Sequence, residues 1–194
     1  MISATAIDRH VEQLFEVMKR LHAALTKAGV EYRIIGGMAV FFQVSERDAN
    51  AARFTRDVDV AVDRKDLQRI ADVAGEFGFR YRHAAGLDTL VDAKEPKARS
   101  AVHLIFLGEK VRPEYFEPVP FSQPTVTQEG ILLAPVVDLV HMKLTSFRLK
   151  DKTHLVDMDG VGLITPEIEA TLAEPLRRRL QQVREEENQS AGAE

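Results

Sequence analysis

Apolar residues recur at helical spacing from about Asp8 to Ala28, through Val11, Leu14, Phe15, Met18, Leu21 and Leu25, and Gly29 ends the run. Tyr32 to Ile35 then reads as a short strand that stops at Gly36-Gly37, and a second helix follows over Met38 to Ser45. Glu46 to Thr55 is polar and predicts a loop. From Asp57 to Asp63 the pattern changes to strict alternation, with Val58, Val60 and Val62 on one face and Asp57, Asp59 and Ala61 on the other. A third helix is predicted over Lys65 to Phe77 and stopped by Gly78. Further strands are expected at Phe79 to Arg82, Thr89 to Asp92 and Ala101 to Leu107, with a basic, proline-containing turn over Ala93 to Ser100.

Gly108 to Ser122 is irregular and holds three prolines. Thr125 to Thr127 and Ile131 to Leu133 fit a hairpin across Gln128-Glu129-Gly130. After Pro135 the pattern is helical: Val136 to Leu149, a second helix around Thr153 to Met158, and a third started by a Thr165 cap with Pro166 behind it and divided at Pro175. The pattern therefore predicts an α+β fold, a small mixed sheet with flanking helices followed by a helical C-terminal lobe. The boundaries are 1–134 for the core, 135–187 for the lobe and 188–194 for a disordered tail.

Composition narrows the chemistry. A chain of 194 residues with 45% hydrophobic and 29% charged residues suits one generous domain or a core with a small appendage. It has no cysteine, which excludes disulfides, thiolate metal sites and cysteine nucleophiles and fits a cytoplasmic location. No apolar run approaches the roughly 20 residues that span a bilayer, and the N-terminus has no signal-peptide pattern, so no membrane partner is expected. A net charge of −4 argues against bulk, sequence-independent nucleic-acid binding.

Asp57 and Asp59, two apart in a strand, point side by side. Adjacent carboxylates repel, and a hard divalent cation offsets that repulsion. Upstream, Gly36 and Gly37 let backbone N–H groups approach a phosphate at a helix N-terminus. Ile34-Ile35-Gly36-Gly37-Met38-Ala39-Val40 followed by Thr55-Arg56-Asp57-Val58-Asp59-Val60 resembles the signature of the nucleotidyltransferase (polymerase β-like) superfamily, and within it the AbiEii-like branch, which includes toxins of type IV toxin–antitoxin systems. The resemblance spans roughly residues 31–160. It implies that Asp57 and Asp59 ligate Mg2+ (or Mn2+), that Gly36 and Gly37 bind the triphosphate of a nucleoside triphosphate such as ATP, and that Thr55 and Arg56 sit at the edge of the site.

On a wheel of the helix after Pro135, Val136, Val140, Leu144 and Phe147 form an apolar arc, and Lys143 falls inside it. Such a lysine either snorkels to the rim or enters the cleft, where its ammonium meets phosphate. The resemblance favours the second reading and continues through Arg148 and Lys150 to Asp157, which either orients Lys143 or takes a proton from the acceptor. The third carboxylate that many nucleotidyltransferases carry on a later strand is replaced here by His103. Three readings stay open: Asp157 as base, His103 as base, or an impaired enzyme. The other histidines show no metal-ligand spacing, and Arg177-Arg178-Arg179 reads as a solvated face or a contact for RNA or an acidic partner. The resemblance implies nucleotidyl transfer to a tRNA or protein acceptor and a cognate antitoxin; the alternatives are a degenerate binding protein and a small-molecule, antibiotic-type transferase.

Overall fold

The computed structural model describes residues 4–55, 57–94 and 101–192. Arg56 and most of the basic turn before the fifth strand lie outside the described residues. Helices are α1 (Ala4–Lys27), α2 (Gly36–Ser45), α3 (Leu67–Ala74), α4 (Val136–Ser146), α5 (Leu149–Gly160), α6 (Pro166–Thr171) and α7 (Glu174–Ala191). Strands are β1 (Tyr32–Ile35), β2 (Val58–Val62), β3 (Phe79–Ala84), β4 (Leu87–Asp92), β5 (Val102–Phe106), β6 (Thr125–Val126) and β7 (Leu132–Leu133). The expected α+β class holds. The strands form one seven-stranded mixed sheet in the order β3-β4-β5-β2-β1-β7-β6, with β2–β5 and β1–β7 parallel.

The register makes the sheet two-faced, because residues paired across strands point the same way. Tyr32, Ile34, Val58, Val60, Val62, Val102, Leu104, Phe106 and Leu90 share one face by pairing and all are buried. α1 reaches that face, where Arg20 stacks on Phe79 of β3 at 4.7 Å and pairs with Asp92 at 2.7 Å. The opposite face carries Ile35, Asp59, His103 and Thr89 in one row and Arg33, Ala61 and Ile105 in the next. Alternation predicted Ala61 on the acidic face, yet it is buried. The irregular segment before β6 covers this end: Ser122 O accepts from the buried Arg33 at 2.6 Å, and Phe121 lies 5.0 Å from its guanidinium. That cover stops short of Asp59 and His103, whose side chains remain about one third exposed, at 30% and 31%.

The helical third packs on α2 through α4 and α5, with α7 behind both. Leu155, Met158, Leu176, Leu180 and Val183 belong to the same continuous core as the strand valines. Each buried leucine contributes about 2 kcal/mol, against about 0–1 kcal/mol for an exposed pair such as Arg178–Glu174, so apolar burial is what holds α7 in place. Two corrections follow. The polar stretch expected to be disordered from 188 is helical through Ala191, because its side chains are the wet face of a helix anchored upstream by those leucines, with ladders such as Gln182–Glu186 (2.7 Å). Within the arginine run, Arg179 is not a solvated residue: it donates to Leu144 O (2.6 Å) and Thr145 O (2.8 Å). Among the described residues no helix is long and apolar enough to cross a membrane.

Candidate active site

β1 runs directly into α2 at the point where Ile35 lies opposite Asp59. Gly36 makes this junction with φ +70°, and a Cβ there would fall 2.3 Å from Asp59 Oδ2. A larger residue there would strain the backbone and force the Asp59 carboxylate to move. A Cβ on Gly37 would fall 2.7 Å from Thr55 Oγ1 and 3.3 Å from His154 Cε1. Gly36, Gly37, Thr55 and Asp59 therefore lie close together, with the start of α2 packed against the Asp59 carboxylate. Ile35 provides no side-chain cap for that turn, which leaves its N–H groups to another acceptor.

Asp57 stands just before β2 and Asp59 within it. His103, directly opposite Asp59 on β5, donates from Nδ1 to Asp59 Oδ1 at 3.0 Å. That bond raises the imidazole pKa above its usual value against the opposing effect of burial, and the charges of Asp59 and Asp57 add to the rise. Among the described residues no group of three or more ligating side chains could hold a metal ion by itself. The pair Asp57 and Asp59 offers oxygen donors only, which suits a hard cation that completes its shell with oxygens of a bound ligand.

Lys143 is buried, and its ammonium donates to Asp151 Oδ1 at 3.0 Å. Burial pulls its pKa down, while Asp151 opposes this. Asp151 is completely buried; it also accepts from Ser146 Oγ at 2.8 Å and from Arg148 Nε at 2.7 Å. Burial pushes its carboxyl up, but the bond from Arg148 and the charge of Lys143 hold it well below the usual carboxylate range. The charge of Asp59 acts to raise the pKa of both Lys143 and Arg148, and that of Lys150 acts on His103. The charges of the α4–α5 turn thus reach Asp59, with the Lys143 ammonium buried on Asp151 rather than open to the cleft and the Arg148 side chain half exposed.

One expectation is corrected. Asp157 does not orient Lys143; Asp151 does, because the turn folds the start of α5 back onto α4. Asp157 instead pairs with Arg53 at 2.9 Å in the loop leading to Thr55. Three residues were missed from sequence: Asp151, Arg53 and His154. The need of a buried lysine for an acid partner pointed to an acid nearby, and His154 lies three residues before Asp157 on one helix face. The imidazole of His154 is held down at about 4, by burial first and then by Lys143.

No family profile matches the sequence, and no curated protein matches it. In three dimensions the chain is similar to the antibiotic-resistance factor ANT(2'')-Ia. Its solution structure gives a TM-score of 0.53 at 12% identity, covering 95% of this chain and 100% of that one. Its crystal structure in complex with adenylyl-2"-tobramycin gives 0.54 at 11% identity, covering 88% and 98%. At such identities the likeness is one of fold: a mixed sheet with its helical partner.

Proposed function

We propose that this chain transfers a nucleoside monophosphate from a nucleoside triphosphate to an acceptor hydroxyl, at Asp57 and Asp59, with a divalent cation, Mg2+ or Mn2+. The observation that carries the reading is the approach of the α2 backbone to Asp59, so close that a Cβ at Gly36 would force the carboxylate to move. Such an arrangement brings phosphate-binding N–H groups and cation-binding oxygens to the same point. When bound, the cation would neutralise charge on the phosphoryl oxygens and the attacking oxygen.

The chain's own groups supply the rest. First-turn N–H groups of α2 cradle the phosphates, with Gly37 and Thr55 shaping that turn. Lys143 and Arg148, fixed by Asp151, offset charge on the triphosphate and on the leaving pyrophosphate. The acceptor oxygen forms a bond to the α-phosphorus as the bond to the pyrophosphate oxygen breaks. Of the two bases weighed from sequence, His103 stands beside Asp59; with Nδ1–H given to Asp59, its Nε2 lone pair is left to accept the hydroxyl proton.

A second reading, a nucleotide-binding protein without turnover, draws on the absence of a third carboxylate at His103. Incubation with α-labelled triphosphates and Mg2+ separates the two. The enzyme labels an acceptor among total RNA, protein or a panel of small molecules that includes aminoglycosides, and Asp59→Asn lowers the label by at least about 10²-fold. Nucleotide binding with no labelled product in any of these pools refutes the transferase. The pool that takes label also decides between a tRNA or protein acceptor, with its implied antitoxin, and the antibiotic kind of acceptor named for ANT(2'')-Ia.

A further inference from the structure

We propose that the face of α5 carrying Lys150, His154 and Asp157 is a wall along the triphosphate, on which His154 and Asp157 recognise its nucleoside half. The inference rests on the nucleotide reading of the cradle and extends it from the phosphates to the sugar and base.

The three residues stand at i, i+4 and i+7, so they form one stripe along the helix. Seven residues of α-helix rise about 10 Å, which is of nucleotide dimensions. The stripe changes character along its length. Lys150 is exposed at the helix start, and its charge acts on His103 and His154. His154 sits against Gly37 in the cradle. Asp157 follows one turn later, its Oδ1 held by Arg53.

Two atoms of the stripe lack partners among the described residues. His154 Nδ1 and Asp157 Oδ2 are buried and unbonded, and Asp157 as a whole is 9% exposed. Native structures seldom leave such atoms unmade. Their chemistry selects the missing partner. A carboxylate repels phosphate and requires a donor. An imidazole kept neutral by burial donates or accepts but adds no charge. A ribose hydroxyl, or the amide and amine edge of a base, meets both demands, whereas a phosphate could accept from the imidazole but has no donor for the carboxylate. The phosphates therefore belong to the cations at the α4–α5 turn, and the neutral half of the nucleotide to His154 and Asp157.

The test is calorimetric titration of the full chain, with Mg2+, by inorganic tripolyphosphate and by ATP, GTP, CTP and UTP. Wild type should bind at least one nucleotide roughly tenfold or more tighter than tripolyphosphate. His154→Gln and Asp157→Asn should each erase most of that margin while tripolyphosphate affinity stays within about twofold, and circular dichroism should show the fold intact; the two variants act at separate positions, so either one alone decides if the other fails to fold. Variants that keep the full margin overturn the proposal and leave the two atoms to bound water. Wild type that binds tripolyphosphate with no nucleotide margin also overturns it, yet leaves the phosphate cradle standing. Wild type that binds neither ligand removes the cradle itself.

Discussion

At the scale of single residues, the tightest constraint is at Gly36. Its φ of +70° and the 2.3 Å that would separate an added Cβ from Asp59 Oδ2 act together. Gly36→Ala should destabilise the fold by about 1–2 kcal/mol from the dihedral alone and swing the Asp59 carboxylate away. Denaturant unfolding reads the first effect, and loss of Mg2+-dependent triphosphate binding reads the second; an alanine variant with wild-type stability and binding would show that the close approach is not needed. Gly36, Gly37, Asp57 and Asp59 were legible because glycine and adjacent carboxylates carry their constraints in their own covalent chemistry. Asp151 was not. A buried lysine calls for an acid nearby, but the pattern does not choose among the acids of α5, and Asp151 is singled out only because it accepts from Lys143, Ser146 and Arg148 at once.

At the scale of elements, the α4–α5 turn determines where the cations stand, and α7 holds that turn. Phe147 sits in it with φ +50°, a costly conformation for a bulky side chain. Arg179 of α7 lies 4.6 Å from the Phe116 ring and 4.7 Å from the Phe147 ring while it donates to the last carbonyls of α4. Two charge-assisted bonds and two ring contacts are together worth about 2–4 kcal/mol. Arg179→Ala should lower stability by that amount and weaken tripolyphosphate binding, since Lys143 is placed by the helix end that Arg179 caps. Arg179→Lys should restore little, because an ammonium lacks the planar fork that bonds two carbonyls while stacked on rings. Chemical denaturation and calorimetry check both statements, and full rescue by lysine would contradict them. The sequence pattern ran α4 on to Leu149; the chain breaks at Phe147 because a tertiary partner is available to stabilise a left-handed residue there.

At the scale of the whole molecule, sheet and helical third share one core, with Val60, Leu139, Leu155 and Leu180 in a single cluster. The two parts should therefore unfold together. Leu180→Ala should cost about 2–5 kcal/mol and shift the far-ultraviolet and near-ultraviolet dichroism transitions of the protein equally. A helical transition that moves alone, with the tyrosine signal of the sheet unchanged, would make residues 135–187 an independent domain. The same continuity accounts for the C-terminal helix reaching Ala191. Composition beyond 187 reads as disorder, but helices are stabilised by the apolar face they bury upstream.

By itself the sequence determined the α+β class, the order of most elements, and the glycine turn and carboxylate pair. All of these rest on periodicity, backbone freedom or charge, which act between near neighbours in the chain. Only the tertiary structure decided that Lys143 is anchored by Asp151, that Asp157 turns to Arg53, that His103 bonds Asp59 across two parallel strands, and that His154 reaches the cradle. Each of these is a contact made after the chain folds back on itself, and its partner is chosen by register and burial rather than by spacing in the sequence.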